Sequence, residues 1–163
     1  MKAFAKCAFA ALIMCTWQVA PGLAGGMKDQ LVGTWMVVSN VEDWDNGKKK
    51  MEWGPDLKGF LMLDAGGHYS FQMGVGDRPK SQGNPSDDPK GKYVGYIGSY
   101  SVDDDSKMLL LNVERCTSPN LEGGIQKRVI VSLNDSELVY KAAEPIKAGD
   151  HAIVPTLTFK KLR

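Results

Sequence analysis

From residue 31 onward the chain is a succession of short apolar, β-branched and aromatic runs cut by turn residues, with no helical stripe among them. Such runs, bounded by clusters of Gly, Asn and Asp, are strand signals, and neighbours separated by a few turn residues are hairpins. Eight runs stand out: 31–41, 59–63, 68–75, 93–102, 108–113, 126–133, 137–141 and 156–162. Asp64-Ala65-Gly66-Gly67 divides the second from the third, and paired glycines supply the positive φ that a tight hairpin needs. Asp103-Asp104-Asp105-Ser106 and Asn134-Asp135-Ser136 separate later pairs in the same way. Hairpin spacing specifies antiparallel order. It leaves two all-β architectures, a sandwich or a barrel. Residues 27–32 offer room for one helical turn before the first strand. Residues 76–92 hold three prolines and no large apolar side chain, the composition of a flexible insert or a lid.

The first residues follow a different logic. Lys2 and Lys6 precede a nearly unbroken apolar run from Cys7 to Val19, and Gly22-Leu23-Ala24 supplies small residues after it. This is the order of a secretory signal peptide. The run is about 13 residues, against the roughly 20 that a membrane-spanning helix needs, so stable membrane insertion is not expected. Cleavage is expected after Ala24, since Pro21 disfavours a cut after Ala20. The working molecule is then one domain, residues 25–163, and its expected location is periplasmic or secreted.

Removal of this segment changes the chemistry of what remains. The whole chain has 20 basic and 19 acidic residues. Lys2 and Lys6 leave and no acid does, so the exported part carries one more acid than base. Near-neutrality excludes the basic face that nucleic acid requires. Lys48-Lys49-Lys50 is the one basic run, and it adjoins the turn signal Asn46-Gly47. Of three cysteines, Cys7 and Cys15 also leave. Cys116 remains alone, so no internal disulfide is available and stability must come from packing.

Leu31-Val32-Gly33-Thr34-Trp35 sets Gly and Trp two apart at the entry to the first strand. There follow Lys58-Gly59-Phe60-Leu61-Met62-Leu63, Gly67-His68-Tyr69-Ser70, Asp77-Arg78-Pro79 and Gly95-Tyr96-Ile97-Gly98-Ser99-Tyr100. Val113-Glu114, Pro119-Asn120 and Gln126-Lys127-Arg128 come after them. In this order the motifs resemble the bacterial lipocalin-like domain family of calycin-type barrels, over residues 30 to 162. The resemblance implies an eight-stranded antiparallel up-and-down barrel with a small ligand inside. The T-D-Y motif and the disulfide of animal lipocalins are absent, so no particular ligand of those carriers transfers. The resemblance also implies that Gly33 and Trp35 form the barrel base, with a cation of the last strand, Lys161 or Arg163, over the indole. Physically, Gly33 lets another backbone approach, and a cation is drawn to the indole face.

Residues alternate between the inside and outside of a barrel strand. Tyr69, Phe71, Tyr96 and Tyr100 fall at positions suited to lining an interior. Glu114 and Arg128 flank one hairpin, where antiparallel pairing would bring them together, either as interior polar anchors or as a surface pair. The two histidines, His68 and His151, are far apart and make no metal site. No nucleophile, phosphate or dinucleotide motif is present. No catalytic residue, metal or cofactor is therefore assigned, and the oligomeric state is left open. The leading expectation is an exported barrel that binds a small apolar or amphipathic molecule. Two others stand beside it: an isomerase or cyclase on the same barrel, and a non-binding module with a filled core.

Overall fold

The computed structural model describes residues 25–78 and 92–162; residues 1–24, residues 79–91 of the Pro-rich insert and Arg163 lie outside the described residues. A short helix α1 (Met27–Leu31) leads into β1 (Gly33–Trp44). There follow β2 (Lys49–Lys50), β3 (Leu57–Leu63), β4 (His68–Val75), β5 (Tyr93–Asp103) and β6 (Met108–Cys116). A 3-10 turn, η1 (Pro119–Leu121), precedes β7 (Ile125–Leu133), β8 (Glu137–Ala142), β9 (Ile146–Ala148) and β10 (His151–Lys161). All lie in one sheet of order β2-β1-β3-β4-β5-β6-β7-β8-β10-β9, and β1 also pairs with β10. That last pairing closes eight strands into an antiparallel up-and-down barrel; β2 and β9 are short additions at its rim.

The alternation of side chains explains why these segments are strands. In β3, Leu57, Leu61 and Leu63 are buried while Lys58, Phe60 and Met62 face outward. In β8, Leu138, Tyr140 and Ala142 face inward. The eight expected strands form the barrel, and among the described residues two more, β2 and β9, join its rim, too short to show a period in the sequence. The last strand starts five residues earlier than the apolar run suggests. Pro155 hides its beginning, yet fits there. It pairs with Glu42 of β1, while on its other side neither the β8 ladder, which begins at Thr156, nor the β9 ladder, which ends at Ile153, covers it.

Two bulges matter for the interior. In β1 the register shifts between Val37 and Ser39, so Asn40 pairs with Leu157 and Glu42 with Pro155. One extra residue reverses the alternation. Trp35 and Val37 point inward before the shift, and Asn40 and Glu42 are buried after it. In β5–β6 the shift falls between Ile97 and Gly98. A β-carbon at Gly98 would run into the Asn112 carbonyl oxygen.

One end of the barrel is shut. Leu31 of α1 is buried, and the Trp35 indole Nε1–H donates to the Leu31 carbonyl (2.7 Å). The Met27 amide donates to Asp104 Oδ1 in the β5–β6 turn (3.1 Å). Lys161 Nζ lies 4.8 Å from the centre of the Trp35 ring and donates to the Gln30 carbonyl (2.8 Å). Gly33 has φ +136°, and an added β-carbon would meet Lys161 Cε at 2.8 Å, so only glycine suits this corner. At the opposite end lie β2, the η1 segment, the β8–β9 turn and the two ends of the Pro-rich insert.

Candidate functional site

A row of aromatic side chains crosses the barrel. Tyr69 meets Tyr96 edge-on (centroids 5.9 Å), Tyr96 meets Phe71 (4.9 Å), Phe71 meets Phe159 (6.4 Å), and Phe159 meets Tyr140 (5.0 Å). The row starts on β4 and β5 and ends on β8 and β10, on the far wall. It divides the interior. On the side of α1 the space is filled by Trp35, Leu61, Leu109, Leu111, Val113 and Leu138, all fully buried. Contacts of this offset and edge-to-face kind stabilise beyond their buried area by about 0.5–1.5 kcal/mol per pair.

Toward the open end the interior is different. Leu57, Met73 and Val94 form an apolar wall on β3, β4 and β5, whereas β1, β7 and β8 turn polar groups inward. Asn40 (3% exposed), Glu42 (5%) and Arg128 (8%) are the buried polar and charged residues of the described chain. Register places Tyr140 and Asn40 on either side of Leu157, and Arg128 next to Ala142, two residues beyond Tyr140 on β8.

Arg128 is the centre of this wall. Its Nη2 donates to Gln126 Oε1 (3.0 Å) and its Nη1 to the Lys127 carbonyl (3.2 Å). Its Cζ is 5.9 Å from the centre of the Tyr140 ring. Burial acts against its charge, yet the guanidinium stays protonated, with the dipoles of the facing Tyr96 and Tyr140 hydroxyl groups turned to it. Burial in turn pushes the hydroxyl groups of Tyr96, Tyr140 and Tyr69 well above the ordinary tyrosine value, so all three are neutral at any physiological pH. Tyr140 Oη lies near both the guanidinium and the Tyr96 hydroxyl without meeting hydrogen-bond geometry to either, and it is buried with no other partner. Asn40 Oδ1 and Trp44 Nε1 are also buried without partners.

The residues singled out in the sequence are distributed unequally. Tyr96 and Arg128 face each other, and Phe71 packs against Tyr96 in the aromatic row. Tyr69 belongs to the same row, with its hydroxyl on the Asn112 carbonyl (3.3 Å). Tyr100 does not line the open half. It stands at the shut end, where its hydroxyl donates to the Asp64 carbonyl (2.7 Å) and Lys28 lies over its ring. The Glu114–Arg128 pair does not form. The β6–β7 ladder sets Arg128 opposite Leu109, and Glu114 lies beyond the last paired residue, Asn112, and is exposed. Tyr140, Asn40, Glu42 and Trp44 are the interior polar groups that the sequence reading missed. For Tyr140 a signal existed, the strict alternation Leu138, Tyr140, Ala142.

Two further groups belong to the rim. His68 pairs with Asp64 at the shut end (3.2 Å) and His151 with Asp45 at the open end (2.9 Å). No group of three or more His, Cys, Asp and Glu poised for a metal occurs among the described residues. Cys116 is a free, half-buried thiol whose sulfur accepts from the Ser118 amide (3.3 Å). A cleft of about 350 Å³ opens at the rim between η1, the start of β7 and the β8–β9 turn, and it reaches Arg128. No helix among the described residues is long and apolar enough to cross a membrane.

The lipocalin-like domain family matches the sequence over residues 32–162. No curated protein matches it. Among solved structures, the barrel is similar to bovine odorant binding protein in complex with a selenium-containing odorant. That match has 24% identity and a TM-score of 0.45, over 83% of this chain and 73% of that one. It is also similar to the bovine lipocalin allergen Bos d 2, at 12% identity and a TM-score of 0.44, over 83% and 75%. A redesigned β-barrel matches at 11% identity and a TM-score of 0.43, over 83% and 95%.

Proposed function

The chain belongs to the lipocalin-like domain family, and from that premise we propose that it holds a small amphipathic molecule in the open half of its barrel. The observation that carries this reading is the set of buried, unpartnered polar atoms there: Tyr140 Oη, Asn40 Oδ1 and Trp44 Nε1. Each such atom costs about 1–3 kcal/mol when it has neither water nor protein to bond. A core that only filled space would place apolar side chains at these positions, as it does below the aromatic row. A ligand that enters from the rim supplies the missing partners. The apolar wall of Leu57, Met73 and Val94 receives the rest of it.

We place this binding outside the cytoplasm, on the strength of the N-terminal leader. N-terminal sequencing of the mature protein is expected to begin at Gly25. The binding reading is tested by native mass spectrometry of protein purified from its own host, followed by a thermal-shift screen of lipid and aromatic molecules. A retained molecule, or a shift of several degrees, is the expected result. Repeated absence of both would leave the filled-core module as the account of this chain.

A further inference from the structure

We propose that the polar end of this ligand is a carboxylate, seated on Arg128. The inference rests on the binding reading and adds the chemistry of the head group. It starts from a charge that the described interior does not balance. Arg128 is a guanidinium at 8% exposure, and it has no ion pair among the described residues. Its hydrogen-bonded partners are an amide oxygen and a backbone carbonyl, and its other neighbours are phenol groups. These are neutral acceptors. A buried charge is ordinarily paired, because desolvation costs several kcal/mol that dipoles only partly return.

The acids at the open end are placed otherwise. Glu144 holds Lys127 (3.1 Å). Glu122 accepts from the Cys116 amide (3.1 Å) and faces Arg115 (3.6 Å). Glu114 is exposed. Glu42 does point inward, but on β1, with β10 and β8 between it and β7. At the usual strand spacing that is ~14 Å along the wall.

The geometry favours a planar oxyanion over a neutral head. A guanidinium has five N–H donors in a fixed fork; two go to Gln126 and Lys127, and the Tyr96 and Tyr140 hydroxyl groups face the others. A carboxylate takes two parallel N–H···O bonds from such a fork. The Tyr140 hydroxyl, which lacks a partner, stands beside it as a third donor. The rim cleft reaches this seat, lined by Leu121, Pro145 and Ile146 and by the Lys127–Glu144 ion pair. The aromatic row limits depth, so the tail is short or compact. It cannot run the length of the barrel.

Octanoate, methyl octanoate and octan-1-ol are suitable probes, titrated calorimetrically into the mature protein. Octanoate is expected to bind at least tenfold more tightly than the ester and the alcohol. Arg128→Met should lower octanoate affinity ten- to a hundredfold and make acid and ester alike. Arg128→Lys, which keeps the charge and loses the fork, should fall between and serves if the Met variant does not fold. Equal affinity of acid and ester for the unaltered protein overturns the carboxylate head and leaves the binding reading intact. Absence of binding by all three at millimolar concentration overturns both.

Discussion

Replacing Tyr140 by Phe removes a single oxygen, and the structure gives that change an unusual sign. The Tyr140 ring is fully buried against Phe159, and its hydroxyl has no partner. Phe keeps the ring contact and removes an unsatisfied donor and acceptor. An unsatisfied buried hydroxyl costs about 1–3 kcal/mol, less a fraction for the small void left behind. The net expectation is a gain of about 1 kcal/mol, or roughly 4 °C in Tm for a domain of this size. Tyr100→Phe is the matched control. Its hydroxyl donates to the Asp64 carbonyl at 2.7 Å, so the same chemical change should cost about 1 kcal/mol. Urea unfolding of the ligand-free protein measures both, with an unchanged m-value as the check that the end states are the same. Calorimetry with octanoate adds the functional half: Tyr140→Phe should weaken binding several-fold while it stabilises the fold. If both variants lose stability alike, Tyr140 has a structural partner, and the argument from unpartnered groups fails.

Three other outcomes follow from the same structure. Gly33→Ala should destabilise by about 1–3 kcal/mol, since it demands a positive φ of an L-residue and displaces Lys161; denaturant titration reads it directly. Trp35→Ala should cost about 3–5 kcal/mol, because the largest side chain of the shut end is lost together with its bond to Leu31. At alkaline pH, Tyr69, Tyr96 and Tyr140 resist ionisation because they are buried. Their folded pKa values exceed the unfolded 10.0, so the folded state binds more protons above that pH. Their contribution to stability is complete below pH 10 and declines as pH rises toward the folded values. Absorbance at 295 nm should show their ionisation together with unfolding rather than before it.

The barrel was legible because it is written in alternation and turns, both of which are local. The runs that became β3, β4 and β8 each keep period two without interruption. What escaped depends on partners. Asn40 and Glu42 reach the interior only because β1 gains a residue at Val38, and the alternation read forward from Trp35 turns them outward. Arg128 was singled out, but with Glu114 as its neighbour. Closeness along a hairpin does not fix register, and here the β6–β7 ladder ends at Asn112. Tyr100 was grouped with Tyr96 by their shared face of β5. Four residues of strand carry it past the aromatic row, to the end that α1 closes. Position along the barrel axis, unlike facing, leaves no mark in a single strand.

The most direct test of the account is a crystal structure of residues 25–163 with octanoate. The carboxylate is predicted within hydrogen-bond distance of the Arg128 guanidinium and the Tyr140 hydroxyl, with the hydrocarbon lying above Tyr96 and Phe71 against Met73 and Val94. A barrel whose open half is filled by its own side chains, with Arg128 paired to Glu42 and octanoate absent or on the outer surface, would contradict it.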